Sequence, residues 1–400
     1  FLKVGLIQMR NYPLSIFILA IRAFAIGMTE FVLMGILPDV AQDLDITISK
    51  EGQFVSVYAL GVAIGGPIMT LLTLKVPRKK LIIILILFSI IGNLGSALSP
   101  NYGSLILFRI IASLTHGTYM GACALLATKL VSKERSGRAV SFIFAGLLSS
   151  NVLGVPVGTF VGQQLSWRYS FGVITVLGII SLIGIIFFVP TNKDQSEFNV
   201  KKEILASIKP QTILTLFITF FGFGGMYLAF TYITPILTDI THFKASNVSW
   251  ILLIFGVGST IGSIIGGKLS DWKLMPWLII NIILLIVVMV LYGVVAPYKG
   301  LVIPLTFVWG LIAYSLLPTI QSRLVLLASD APNLASTLTN TAFNISISFA
   351  AFFGGVIIDV FSLSLIFFIG AIQSFVGLIL ALISYFVDRR KSADTQVEGQ

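Results

Sequence analysis

The sequence is short of charge. Asp, Glu, Lys and Arg together make up 10% of its 400 residues, where a soluble globular protein carries about 25%. An ordinary soluble domain is excluded on that ground. Cysteine occurs once, at Cys123, and histidine twice, at His116 and His242. No intrachain disulfide can form, and the few metal-ligand residues are too dispersed for a metal site. No Walker loop, dinucleotide fingerprint or nucleophile elbow stands in a suitable context. ATP-driven chemistry and enzyme catalysis are disfavoured, and no cofactor is implied.

What the chain has is apolar length: 56% of its residues are hydrophobic. The runs are about 20 residues long, which suits membrane helices; barrel strands would alternate over about 10. Spans are expected near 14–38, 52–74, 81–98, 102–128, 139–161, 169–190, 211–238, 247–267, 275–297, 300–327, 333–358 and 362–387. The fold expected is all-α and polytopic, with twelve transmembrane helices. The longest polar interruption, TNKDQSEFNVKKEILASIKP (191–210), divides the spans six and six. It reads as an amphipathic cytoplasmic linker. The organisation is then a six-helix bundle at 1–190, the linker at 191–210, a second bundle at 211–388 and a tail at 389–400.

Lysine and arginine set the orientation. With the N-terminus in the cytoplasm, twenty of the 26 basic residues fall on the inner side. Four, Lys50, Arg168, Lys244 and Lys299, fall outside, and only Arg22 and Arg109 lie within spans. Both termini are therefore expected inside, in the cell membrane. The formal charge of +10 is explained by topology, so nucleic acid is not an expected partner. The expected partners are the lipid bilayer, protons and a small-molecule substrate, with the chain acting as a monomer.

The halves align without a gap at an offset of 197 residues: Gly27 on Gly224, Pro38 on Pro235, Gly61 on Gly258, Gly65 on Gly262 and Gly158 on Gly355. A constant offset across several spans implies two bundles related by an axis along the membrane normal, which suits transport by rocking. Glu30 aligns with Tyr227 and Arg109 with Thr306. Charge thus sits in the first half, and aromatic and hydroxyl groups answer it in the second.

Glu30 is the one carboxylate deep in an apolar run, SIFILAIRAFAIGMTEFVLMGIL (15–37). A charge there costs at least a few kcal/mol and needs a partner, a wet cavity or a proton. Arg109, Ser113, His116 and Met120 share one face of the fourth span at i, i+4, i+7 and i+11. Arg109 pairing with Glu30 would relieve both desolvation costs, and protonation would break the pair. Arg22, two turns before Glu30, is the rival partner. His116 is either a proton relay or a neutral hydrogen-bonding side chain. These three, Glu30, Arg109 and His116, form the proton-coupling set. The substrate-binding set is Phe31, Tyr58, Tyr119 and Asn151 in the first half, with Tyr227, Thr231, Trp309, Asn340 and Asn344 in the second. Amides in spans either join helices or line a cavity. Gly258, Gly262 and Gly266 form a ladder for close helix approach.

Several segments carry a resemblance. GMTEFVLMGILPDVAQDLDIT (27–47), LFRIIASLTHG (107–117), GLLSSNVLGVPVG (146–158) and GGKLSD (266–271) resemble motifs of the major facilitator superfamily. The pattern is similar to its twelve-span drug:proton antiporter branch, the bacterial arabinose-efflux-like, purine-efflux and chloramphenicol-resistance permeases. The third segment resembles the antiporter motif of the fifth helix, with the usual Gly-Pro pair split by Val155. The last resembles the cytoplasmic gating loop and implies gating roles for Asp271 and Arg78; the first-half loop has Thr70 and Leu74 at the equivalent positions, so the inner gate is expected to rest more on the Asp271 side. The resemblance implies proton-coupled efflux of small organic molecules by alternating access, including multidrug resistance. A uniporter or proton symporter for sugars or nucleosides, and a non-transporting membrane receptor, are the other readings.

Overall fold

The structure is a computed structural model that describes residues 13–73, 75–132, 135–190, 209–327 and 332–398, the side chains of 332–337 and 391–398 excepted. The linker expected at 191–210 lies almost wholly outside the described residues. Those described form helices and no strand. Backbone groups in a bilayer have no water to bond, so each segment closes its own hydrogen bonds.

The chain divides into two units. Among the described residues the first comprises 13–46 and 57–190, and the second 47–56 and 209–398. The first begins with α1 (Leu14–Leu44). It continues through most of α2 (Ile48–Leu72), α3 (Arg78–Ala97), α4 (Tyr102–Ser113), α5 (His116–Leu130), α6 (Ser136–Ser149), α7 (Val155–Gln164) and α8 (Trp167–Phe188). α1 is apolar nearly all round and is buried over most of its length, as such a helix must be. It packs against α6, α7 and α8. Its N-terminal half meets Leu81, Leu85, Cys123, Leu126, Ile143 and Ile185 in one apolar core.

Two departures from straight helices bear on the site. The fourth span, expected as one helix, is interrupted at Leu114–Thr115 between α4 and α5. Thr115 Oγ1 donates to the Ala112 carbonyl at 2.8 Å, a side-chain bond that competes with the helix ladder. The fifth span widens to a π-helical turn at Ser150–Gly154. Pro156, two residues beyond the turn, has no N–H to give, so the preceding turn loses a bond and re-pairs at longer spacing.

The second unit holds α9 (Pro210–Ile218), a π turn at Thr219–Phe223, α10 (Gly224–Thr231), α11 (Ala245–Val295), α12 (Lys299–Leu327), α13 (Pro332–Val360) and α14 (Ile366–Glu398). α11 has 51 residues, about 77 Å at 1.5 Å per residue, enough to cross a bilayer twice. It breaks at Lys273, where φ is −147° and ψ 84°, shortly before Pro276. Among the described residues eleven helices are long and apolar enough to span, and the broken α11 is long enough for two crossings. Gly258, Gly262 and Gly266 of α11 lie against the carbonyls of Phe307, Leu311 and Ser315 of α12, and Gly310 lies against that of Phe255. No Cβ fits at these points, so the ladder permits backbone-to-backbone approach.

Candidate functional site

Glu30 sits at mid-span in α1 and is 7% exposed. Its carboxylate lies 3.8 Å from His116 Nδ1 at the start of α5. The same nitrogen is 3.5 Å from the Tyr58 hydroxyl of α2, the donor being set by the imidazole tautomer. Arg109 of α4 is fully buried. Its Nη1 donates to the carbonyl of Thr29 at 2.7 Å, and its guanidinium lies 4.2 Å from the Tyr58 ring centroid. Four helices thus bring one carboxylate, one imidazole, one phenol and one guanidinium together.

The pairing differs from that expected of the sequence. Arg109 takes the backbone oxygen beside Glu30, while the ion-pair contact of Glu30 is His116. Arg109 and Glu30 still attract through space. A helix carbonyl has a second lone pair and accepts a guanidinium without leaving the ladder. The rival, Arg22, makes no ion pair among the described residues. Its guanidinium faces the Tyr119 ring at 5.7 Å, and Tyr119 donates to the Leu19 carbonyl at 3.3 Å. Tyr119 therefore stands with Arg22 and not beside Glu30. Phe31 and Asn151 are buried, at 8% and 7% exposed. Asn151 is on the π turn, whose Ser150 lies against Gly27, one turn before Glu30.

In the second unit Tyr227 of α10 approaches Tyr314 of α12, hydroxyl to hydroxyl, at 3.4 Å. Trp309 is the hub of an aromatic nest, with Phe230, Phe255, Tyr292 and Phe367 at centroid distances of 5.8, 5.5, 5.2 and 5.5 Å. Thr231 and Trp309 are both fully buried. Thr306, the repeat partner of Arg109, meets the Tyr292 hydroxyl at 2.9 Å. Asn344 Nδ2 donates to Asn340 Oδ1 and to its carbonyl, each at 3.0 Å, so the i, i+4 amides join each other. Asp271 is exposed just before the break in α11, with no hydrogen bond or ion pair among the described residues; Arg78, half-buried, opens α3.

Two features escape a sequence reading. Arg323 counts there as an inner-side charge, yet it is 5% exposed. Nε donates to Thr215 Oγ1 at 3.2 Å, and Nη2 to Gln211 Oε1, Ser384 Oγ and Asp388 Oδ2 at 3.2, 2.6 and 2.9 Å. The available signal is that Gln211 and Thr215, like Ser384 and Asp388, are one helical turn apart. The second is Glu51, in the first turn of α2 and fully buried. Glu30 is thus not the lone buried carboxylate. Glu51 belongs to the second unit, where Gly52 closes on the Tyr232 hydroxyl and the Ala351 carbonyl.

Residues 19–351 match the family model of the Major Facilitator Superfamily. The chain belongs to that superfamily. It is 38% identical over 387 residues to the inner membrane transport protein YdhP of Escherichia coli (strain K12), covering 96% of this chain and 98% of that one. It is 36% identical over 385 residues to the uncharacterized MFS-type transporter YtbD of Bacillus subtilis (strain 168), covering 95% and 97%. The crystal structure of a D-xylose-proton symporter superposes with a TM-score of 0.72 at 15% identity, over 92% of this chain and 96% of that one. This superfamily member is a multi-pass membrane transport protein, and among its described residues no cluster could hold a metal.

Proposed function

We propose that this chain is a proton-coupled exporter of small organic molecules that works by alternating access. The bundles at 1–190 and 211–388 move as units, and the termini and linker are cytoplasmic. The observation that carries the reading is the buried group of Glu30, His116, Tyr58 and Arg109. A carboxylate 3.8 Å from an imidazole nitrogen that is itself 3.5 Å from a phenol is a short series of groups able to hold or pass a proton. A proton on Glu30 cancels its attraction for Arg109, which is strong where the dielectric is low. Arg109 then keeps the Thr29 carbonyl and the Tyr58 ring. Loss of that attraction biases α1 against α4, and so one state of the transporter against the other. Export is supported by the likeness of GLLSSNVLGVPVG (146–158) to the antiporter motif and by the π turn within it. The aromatic nest around Trp309 suits the apolar part of a solute.

The test is Glu30→Gln in proteoliposomes with an imposed pH gradient, against a panel of drugs, sugars and nucleosides. Gradient-driven transport is expected to be lost, while the protein stays folded and still exchanges solute across the membrane without a gradient. Full gradient-driven transport by the variant would sink the proposal. Accumulation with the gradient, in place of efflux against it, would identify a symporter.

A further inference from the structure

Three arginines of the described spans are buried: Arg22, Arg109 and Arg323 are 1%, 0% and 5% exposed. Two of them show what a buried guanidinium requires. Arg323 has three side-chain oxygens and a carboxylate. Arg109 has the Thr29 carbonyl and the face of Tyr58. Arg22 has neither a hydrogen bond nor a carboxylate within ion-pair reach among the described residues. Its Nε is fully buried without an acceptor. The Tyr119 ring lies 5.7 Å from Cζ, and the Tyr119 hydroxyl donates to the Leu19 carbonyl.

No acceptor among the described residues is hydrogen-bonded to Arg22. Its Nη1 points toward Gly178 of α8, where a Cβ would stand 3.7 Å from it and 2.9 Å from Ile90 of α3. Nor is the charge offset nearby. Arg22 shares its electrostatic surroundings with Tyr58 and His116, and through Tyr58 with Glu30 and Arg109. That leaves two guanidinium groups against one carboxylate. Buried charges are normally paired, because an isolated one costs far more than a hydrogen-bonded polar group. A guanidinium with its fork unused is a ready receptor for a planar or spherical anion.

We propose that Arg22 is an anion-binding residue inside the first unit, receiving a carboxylate-sized anion between α1, α3, α5 and α8. The site stands whether or not Glu30 couples to protons; only its use by a transported solute rests on the exporter reading. The anion is either a free small ion or the carboxylate of that solute, and the test separates them. Purified wild type is unfolded thermally at constant ionic strength and no pH gradient, in sodium gluconate with chloride, acetate or benzoate titrated in. At least one of the three is expected to raise the midpoint in a saturable way. Arg22→Gln is expected to lose that response, and Arg22→Lys, which keeps the charge without the fork, to weaken half-saturation about tenfold. Glu30→Gln is expected to keep the response, so the failure of proton coupling is a separate result. Chloride and acetate acting alike identify a small resident ion, and benzoate acting alone identifies a solute head group. No saturable shift, or the same shift in Arg22→Gln, overturns the proposal. Where Arg22→Gln does not fold, an unchanged half-saturation in Arg22→Lys overturns it.

Discussion

Tyr58 serves two neighbours at once. Its ring lies beneath the Arg109 guanidinium at 4.2 Å, and its hydroxyl reaches His116 at 3.5 Å. Two substitutions divide these roles. Tyr58→Phe keeps the ring and removes the hydroxyl, so the thermal midpoint is expected to stay near wild type while gradient-driven transport falls and its pH profile changes. Tyr58→Leu also removes the cation–π contact, which contributes about 2 kcal/mol or more where the pair is desolvated, and a lower midpoint is expected. Equal midpoints for the two variants would show that the ring gives Arg109 nothing. The arrangement is economical for a buried cation: a quadrupole and a carbonyl hold Arg109 without adding a second full negative charge beside Glu30.

At several seams elements are held by backbone proximity as well as by side-chain packing. Lipid tails are as apolar as leucine, so helices in a bilayer gain from approach that lipid cannot match. The α11–α12 ladder is the clearest case. A Cβ at Gly262 would fall on the Leu311 carbonyl, whereas one at Gly267 meets nothing within 4 Å. Gly262→Ala is therefore expected to force the helices apart at a cost of about 1–3 kcal/mol, read as a lower midpoint in detergent. Gly267→Ala should be neutral or slightly stabilising, since alanine is the better helix former. Identical behaviour of the two would remove the ladder's structural role. The Arg323 group does similar work with polar atoms, joining α9, α12 and α14.

For the whole molecule, the bias of twenty basic residues inside against four outside predicts an accessible outer loop and an inaccessible linker. The single cysteine, Cys123, is fully buried, so the background for thiol labelling is low. In intact cells a membrane-impermeant maleimide is expected to label Lys244→Cys, which replaces an exposed residue, and to leave Ser196→Cys unlabelled until the cells are opened. Labelling of Ser196→Cys from outside would invert the topology. The same result would put the acidic end of α1, with Asp39, Asp43 and the C-cap Asp45, in the cytoplasm. Asp43 is tied there to Arg168 at 2.5 Å and to Trp167 Nε1 at 3.2 Å, which joins the ends of α1 and α8.

The membrane class, the positions of the spans and the glycine ladder were legible in the sequence, and Glu30, Arg109 and His116 could be singled out there as groups to test. They follow from local quantities: apolar run length, helical period and the cost of charge in an apolar run. What the sequence could not determine is which element stands opposite each buried charge. Period fixes a residue's face on its own helix, but apolar helices offer no pattern that names the neighbour. Only the tertiary structure decided that Arg109 meets the Thr29 carbonyl and that His116 meets Glu30. It alone decided that Glu51, at a helix start, is buried with the second unit, and that Arg323 finds acceptors 61 to 112 residues away. Arg22 shows the same limit from the other side. Eight residues from Glu30 on one helix, it is separated by about 12 Å of rise, and among the described residues it meets a ring and forms no ion pair.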